Sequence, residues 1–215
     1  DKPFSIPSSY VEQDEVTSSM FTDEALEVKK QPTFQFQNKY IITTIKSGLI
    51  AIHQQRAHER ILFEAYLKDI TTHEGLSQQL LFPLTLDFST HDIHILEEIK
   101  EQLYNTGFIF EKKKNSLIFS GLPSALKETE VQSVLEALIE AITLEIPQDA
   151  FSQNTLIAKL LAEKSAIKVG TRLDEAEQIA IVSKLFTCKE NQLTPNDKKI
   201  LTTIQVTDLD KALRL

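Results

Sequence analysis

Three observations predict an α+β fold in two lobes. Segments that alternate apolar and polar residues at period two interleave with segments whose apolar residues recur three and four apart. Residues 82–142 read as a self-contained β-α-β-β-α unit inserted between other elements. The chain has 215 residues, enough for one large domain or two small lobes. We therefore expect a tail over 1–32, a lobe built from the N- and C-terminal parts (33–75 and 152–215), and an inserted external lobe over 76–151.

The elements follow in order. Residues 1–32 carry Pro3, Pro7, repeated serines and seven acids against three bases, with little apolar periodicity. Such a segment cannot bury enough to offset its ordering entropy, so it reads as a disordered acidic tail. Phe34 and Phe36 then alternate with polar residues, and Tyr40-Ile41-Ile42 continues the strand pattern. Lys46-Ser47-Gly48 is turn chemistry, and Leu49-Ile50-Ala51-Ile52 completes a hairpin. Ala57, Ile61 and Ala65 recur at i, i+4, i+8 and predict a helix over 55–68.

Residues 82–88 alternate at period two, with Pro83 confined to a strand start or an edge. Ser89 or Thr90 can cap a helix carrying Ile93, Leu96, Ile99 and Leu103, and Gly107 can end it. Residues 108–111 and 117–120 form a hairpin, which Gly121-Leu122-Pro123 breaks. Val131, Leu135, Leu138 and Ile142 mark a helix stopped by Pro147. Helices over 151–168 and 174–186 are separated by Gly170, residues 199–206 form a late strand, and Asp208 caps a terminal helix.

Composition excludes several classes. Hydrophobic residues are 41% and charged residues 25%, the balance of a globular chain. One cysteine, Cys188, allows neither an internal disulfide framework nor a Cys-rich zinc module, and fits a reducing compartment. No apolar run reaches the ~20 residues of a membrane span, and no signal segment follows Asp1. Starting at Asp1 rather than Met leads us to expect an excised or processed piece. The net charge is −8, half of it in the tail, and no basic stripe suited to duplex DNA runs along the remainder. The Lys112-Lys113-Lys114 run reads as a solvated turn. His91 and His94 read as exposed helix residues, and no glycine-rich phosphate loop or nucleophile elbow occurs.

Residues 40–64, a hairpin leading into His53-Gln54-Gln55-Arg56-Ala57-His58-Glu59 and then Glu64, resemble the C-terminal domain of the MutL mismatch-repair proteins, where a hairpin enters Asp-Gln-His-Ala-x-x-Glu-x-x-x-x-Glu. Three later segments agree in order: Gln79-Leu80-Leu81-Phe82-Pro83-Leu84, residues 107–120 followed by Gly121-Leu122-Pro123, and Lys164-Ser165-Ala166-Ile167-Lys168. The resemblance covers residues 34–210. It implies a homodimerisation lobe from the first hairpin and helix together with the late elements, and an external lobe from the insertion. It implies that the acidic tail ends a linker from an N-terminal ATP-binding ATPase. Two arms tethered by one dimer stay at high effective concentration. Tyr40, Ile42, Ile50, Ile52, Ile179, Val182, Leu185 and Phe186 are the interface residues we expect.

Many members of that family nick DNA at a metal site made from this motif, a distant Ala-Cys-Arg and a late Cys-Pro-His-Gly-Arg-Pro. Carboxylate, imidazole and thiolate there hold divalent ions that activate water. The present chain departs at nearly every ligand. His53 stands for the Asp, Gln55 for the His and Arg56 for the Ala; Ala162-Glu163-Lys164 replaces Ala-Cys-Arg. Cys188-Lys189-Glu190 keeps only the late cysteine, so Glu59, Glu64 and Cys188 survive in a motif remnant made of His53, Gln54, Gln55, Arg56, Glu59, Glu64 and Cys188. We expect no catalysis, no metal and no cofactor in this domain. The enzymatic alternative is a remodelled nicking site around His53, His58, Glu59, Glu163 and Cys188. The second alternative is a generic protein-protein adaptor with a ferredoxin-like lobe.

Gln78-Gln79-Leu80-Leu81-Phe82-Pro83 resembles the segment with which family members contact the replicative sliding clamp. An extended peptide would lie in an apolar cleft, with Gln78, Leu81 and Pro83 making the contacts. The competing reading is a strand start whose leucines fill the external lobe; Leu84 and Leu86 belong to that core in either case. The expected partners are a second copy, the clamp, other mismatch-repair proteins, and DNA through the full-length dimer. No membrane is expected, and the location implied is bacterial cytoplasm, associated with DNA.

Overall fold

The structure is a computed structural model and describes residues 32–145 and 149–214. The expected disordered tail over 1–32, apart from Pro32, and the expected helix stop at Pro147 lie outside the described residues.

The first sheet has four antiparallel strands, β1 (Thr33–Phe36), β2 (Tyr40–Ile45), β3 (Gly48–His53) and β7 (Leu201–Gln205), in the order β1-β2-β3-β7. Phe34 pairs with Ile42, Ile42 with Ala51, and Ala51 with Thr202. Directly opposed residues share a face, so this row and its neighbours Phe36–Tyr40–His53 and Thr44–Leu49–Ile204 all point one way. Ile41, Ile50 and Ile52 point the other way, into a core with Ala57, Leu173, Ile181, Val182, Leu185, Ile200 and Leu201. At Gly48 a Cβ would collide with the Ile204 carbonyl, so glycine lets β7 close onto β3.

Helix α1 (Gln54–Thr72) starts where β3 ends. Its N-terminal half lies under the first sheet through Ala57, and its C-terminal half sends Tyr66 and Ile70 into a second core. That core is built on the antiparallel sheet β4-β6-β5, with β4 (Ser77–Asp87), β5 (Ile109–Lys113) and β6 (Ser116–Pro123). Helices α2 (Thr90–Glu98), α3 (Lys100–Asn105), α4 (Val131–Glu145) and α5 (Ala150–Ser165) supply the rest of it, around Phe108 and Phe119. Gly107, at φ +103, turns the chain into β5 where a Cβ would meet the Leu76 carbonyl. Helix α6 (Glu175–Leu185) returns to the first core behind a capping box from Asp174, and α7 (Val206–Leu213) follows β7.

The fold is thus α+β with two sheets and two cores. Several details differ from expectation. Gly121-Leu122-Pro123 does not break the hairpin: β6 runs through it because Ser77–Gln79 supplies a second pairing partner beyond the hairpin. The helix expected through Leu103 is interrupted at the fully buried Ile99. Its cap is Ser89, which accepts from the Asp92 N–H at 3.1 Å. Asp208 is not the cap of the last helix; Gln205 is, and Asp208 sits at the third helical position. Only Lys114 of the lysine run lies in the turn, whereas Lys112 is in β5 and pairs with Glu97 at 2.7 Å. His91 and His94 are exposed, and His94 faces Glu98 at 3.3 Å.

Candidate functional site

The remnant motif occupies the junction of β3 and α1. His53 is half-buried as the last residue of β3 and caps α1, its Nδ1 accepting from the Arg56 N–H at 3.4 Å. Its ring meets Tyr40 edge-on, with centroids 5.6 Å apart. Burial holds its pKa below the ordinary value, helped by the Arg56 and Lys39 charges. Gln54 is fully buried, and both of its amide hydrogens and its amide oxygen are bonded. Its Nε2 donates to the Asn38 and Thr171 carbonyls at 2.9 Å each, and its Oε1 accepts from Gln35 at 2.7 Å. An amide suits this place because a charge buried here would lack a compensating partner. Gln55 is half-buried.

The next turns of α1 are equally committed. Arg56 donates to the Lys199 carbonyl at 2.7 Å. His58 Nδ1 accepts from the Ile167 N–H at 3.1 Å, which requires that nitrogen to be unprotonated. Burial, assisted by Lys184, lowers its pKa to about 4. Glu59 is nearly buried and its carboxyl is pushed upward, first by burial and then by Glu163; Asn196 donates to it at 3.5 Å. Glu64 accepts from the Lys189 and Glu190 N–H groups at 2.8 and 3.1 Å. Cys188 keeps its proton: burial, followed by the nearby Glu64, pushes the thiol up to about 12, and it donates to the Lys184 carbonyl at 3.5 Å.

These groups do not fit a divalent metal. A site of this type needs a thiolate, an imidazole lone pair and carboxylates converging on one point. Here the His58 Nδ1 lone pair and both Glu64 oxygens serve backbone amides, and Arg56 adds a cation at the same end of the helix. Among the described residues no three His, Cys, Asp or Glu side chains are placed to share an ion. Arg60, which sequence reasoning missed, donates from Nε to the Leu193 carbonyl at 2.7 Å and lies 3.8 Å from Glu64. The i, i+4, i+8 spacing of Arg56, Arg60 and Glu64 was the signal that could have found it.

The docking segment lies on β4, an edge strand. Pairing with β6 is interrupted between Gln79 and Leu84. Leu80 turns inward against the core, while Leu81 and Phe82 are 87% and 77% exposed and Gln78 and Pro83 are also exposed. Leu84 and Leu86 pack against the second core.

The expected interface residues divide between two sides of the first sheet. Tyr40 and Ile42 lie on its open face. Ile50, Ile52, Val182 and Leu185 lie in the chain's own core, Phe186 packs against that core, and Ile179 is half-buried on α6. The open face also holds Phe34, Phe36, Leu49 and Ile204, and beyond β7 the exposed Val206, Leu209 and Leu213 of α7 continue it in apolar character. Phe34 and Phe36 were legible as a strand but not as surface. The three-and-four spacing of Val206, Leu209 and Leu213 was the available sign for α7.

Residues 33–173 match the family described as the MutL C terminal dimerisation domain. The DNA mismatch repair protein MutL of Flavobacterium psychrophilum is 46% identical over 201 residues, 93% of this chain and 33% of that protein. MutL of Christiangramia forsetii is 46% identical over 201 residues, 93% of this chain and 32% of that protein. MutL of Flavobacterium johnsoniae is 41% identical over 218 residues, 100% of this chain and 34% of that protein. The chain spans about a third of the length of these curated relatives.

Proposed function

The chain belongs to the MutL family, through its C-terminal dimerisation domain, and from that premise we propose that it is a non-catalytic homodimerisation domain joining two N-terminal ATPase arms in DNA mismatch repair. The observation that carries this reading is the open face of the first sheet. Phe34 is 64% exposed and Phe36 49%, flanked by Tyr40, Ile42, Leu49 and Ile204 on one continuous side. A contiguous apolar surface of this kind marks an interaction site. A two-fold axis lets the same patch serve both copies. The first lobe is then the dimerisation lobe, and the lobe around β4–β6 is external to it. DNA would be reached through the full-length dimer, in the bacterial cytoplasm. Among the described residues no helix is long and apolar enough to cross a membrane.

Light scattering at low micromolar concentration tests the reading. A mass near twice 24.4 kDa is expected; a stable monomer overturns it. The nuclease alternative is opposed by the misfit of the remnant groups to a metal. Supercoiled plasmid with Mn²⁺ should stay intact, and nicking that disappears on Glu59→Ala would restore that alternative.

A second role is favoured by the display of Leu81 and Phe82 on the interrupted stretch of β4. We infer that this segment docks on the sliding clamp, with Gln78 supplying a directional hydrogen bond and Leu81 the burial. Clamp pull-down with Gln78→Ala and Leu81→Ala together should lose binding; retained binding removes the role.

A further inference from the structure

The α1 face that carries a metal in the nicking relatives holds a strap of its own chain here. Arg56, Arg60 and Glu64 lie four residues apart, on one side of the helix. Each is bonded to the backbone of a single segment, 188–199: Arg56 to the Lys199 carbonyl, Arg60 to the Leu193 carbonyl, and Glu64 to the Lys189 and Glu190 amides. Asn196 adds a bond to Glu59 from the same segment. The segment forms no helix or strand beyond one bridge between Leu193 and Lys199. Its middle is closed on itself, with the Thr194 hydroxyl accepting from the Asn196 and Lys198 N–H groups at 3.2 Å each.

What lies beyond the strap explains why its position matters. The chain passes from Lys199 through Ile200 directly into β7 and then α7. Among the described residues β7 is an edge strand, paired only with β3. No residue of α7 is buried; its first residue is tied to the β2–β3 turn, the Val206 N–H donating to the Ser47 carbonyl at 3.0 Å. The strap fixes the chain immediately ahead of Ile200, whose carbonyl accepts from the His53 N–H at 2.8 Å, and so sets the approach to the β3–β7 ladder that carries Ile204 and to α7 beyond it.

We propose that Arg56, Arg60 and Glu64 are positioning residues for the dimer surface, holding segment 188–199 so that β7 and α7 present their apolar residues to a second copy. This rests on the dimer reading above. The charged groups suit the task because charge-assisted bonds to backbone groups fix a segment that has no ladder of its own. Arg56 in place of the family's alanine is then a gain of a bond, not only the loss of a metal-site residue.

The test is the dimer dissociation constant of the 215-residue chain by analytical ultracentrifugation, with amide hydrogen exchange read alongside. Arg56→Met should weaken the dimer about fivefold, the loss of one such bond, and speed exchange selectively over 199–213. Arg56→Lys should restore most of both, since an ammonium can reach the same carbonyl. Arg60→Met should act in the same direction; if it does not fold, the partly exposed Arg56 decides the matter. Ile204→Asp serves as the reference and should dissociate the dimer. If Ile204→Asp dissociates it while Arg56→Met leaves the constant and the exchange unchanged, the strap is overturned and the interface stands. Exchange that rises evenly over the whole chain also overturns the strap. If Ile204→Asp leaves the dimer intact, the interface reading fails, and the strap's role with it.

Discussion

The two antiparallel sheets of this chain each lay one face on a core, and their outward faces differ in chemistry. Where it pairs over Thr85–Asp87, the sheet β4-β6-β5 turns Thr85, Asp87, Glu111, Lys113 and Ser116 outward around the half-buried Ile118, and its exposed apolar residues, Leu81 and Phe82 on β4 and Ile109 on β5, lie beyond that stretch. The sheet β1-β2-β3-β7 turns Phe34, Phe36, Tyr40, Ile42, Leu49 and Ile204 outward, with Thr44, Ala51, His53 and Thr202 among them. Antiparallel sheets can leave one face to water, and alternation with polar residues is how they do it. The paired stretch of the first face is finished within one chain. The second face is left apolar by this chain, and in the dimer proposed above a second copy would cover it without a new surface.

The largest expected effect sharpens this contrast with one residue type on each sheet. Phe119→Ala empties a fully buried site and should cost about 3–5 kcal/mol in urea unfolding. Phe34→Ala should leave the urea midpoint of the dilute monomer within about 0.5 kcal/mol and raise the dimer dissociation constant instead. A large loss of monomer stability at Phe34 would break the comparison. Next come paired charges: Ile42→Asp with Ile204→Asp should weaken the dimer at least about 100-fold, because carboxylates would be desolvated without partners. Ile118→Asp on the other sheet should leave the mass unchanged by sedimentation.

A smaller effect comes from the tie between the two regions. His58, on α1 beneath the first sheet, accepts from Ile167 just past α5 and has a pKa of about 4 against an ordinary 6.5. As pH falls the unfolded chain is protonated there first, so stability is lost from pH 6.5 down to about 4 and no further below. Glu59, with its carboxyl pushed up, opposes this, since its folded form takes up a proton before its unfolded form. His58→Asn keeps an acceptor for Ile167 but cannot titrate. The difference between wild type and this variant should change by roughly 3 kcal/mol across that window in urea melts; a constant difference would show that His58 titrates normally. The smallest effect is at β4, where Leu81→Asp should change stability by less than about 0.5 kcal/mol while abolishing clamp capture.

Much of this was legible along the chain. Period-two alternation placed β1 to β3 and the second half of β4, and the helix at 54–72 followed from Ala57, Ile61 and Ala65. The loss of metal ligands was legible because ligand identity is a property of single residues: an amide at 55 and a guanidinium at 56 stay so in any fold. Gly121-Leu122-Pro123 misled because local turn chemistry does not register a partner strand more than forty residues upstream. Ile50 and Ile52 misled because alternation identifies two faces without labelling them.

The sequence by itself determined the class, the two-sided patterning of each strand, the family and the degeneracy of the nicking motif. All of these reside in residue identity and short-range spacing. Only the tertiary structure decided which face of the first sheet stays open, because that depends on where α1 and α6 pack. It alone joined Arg56, Arg60 and Glu64 to a segment more than a hundred residues later. Spacing shows that three side chains share a helix face; the backbone they hold is set by the path of the whole chain.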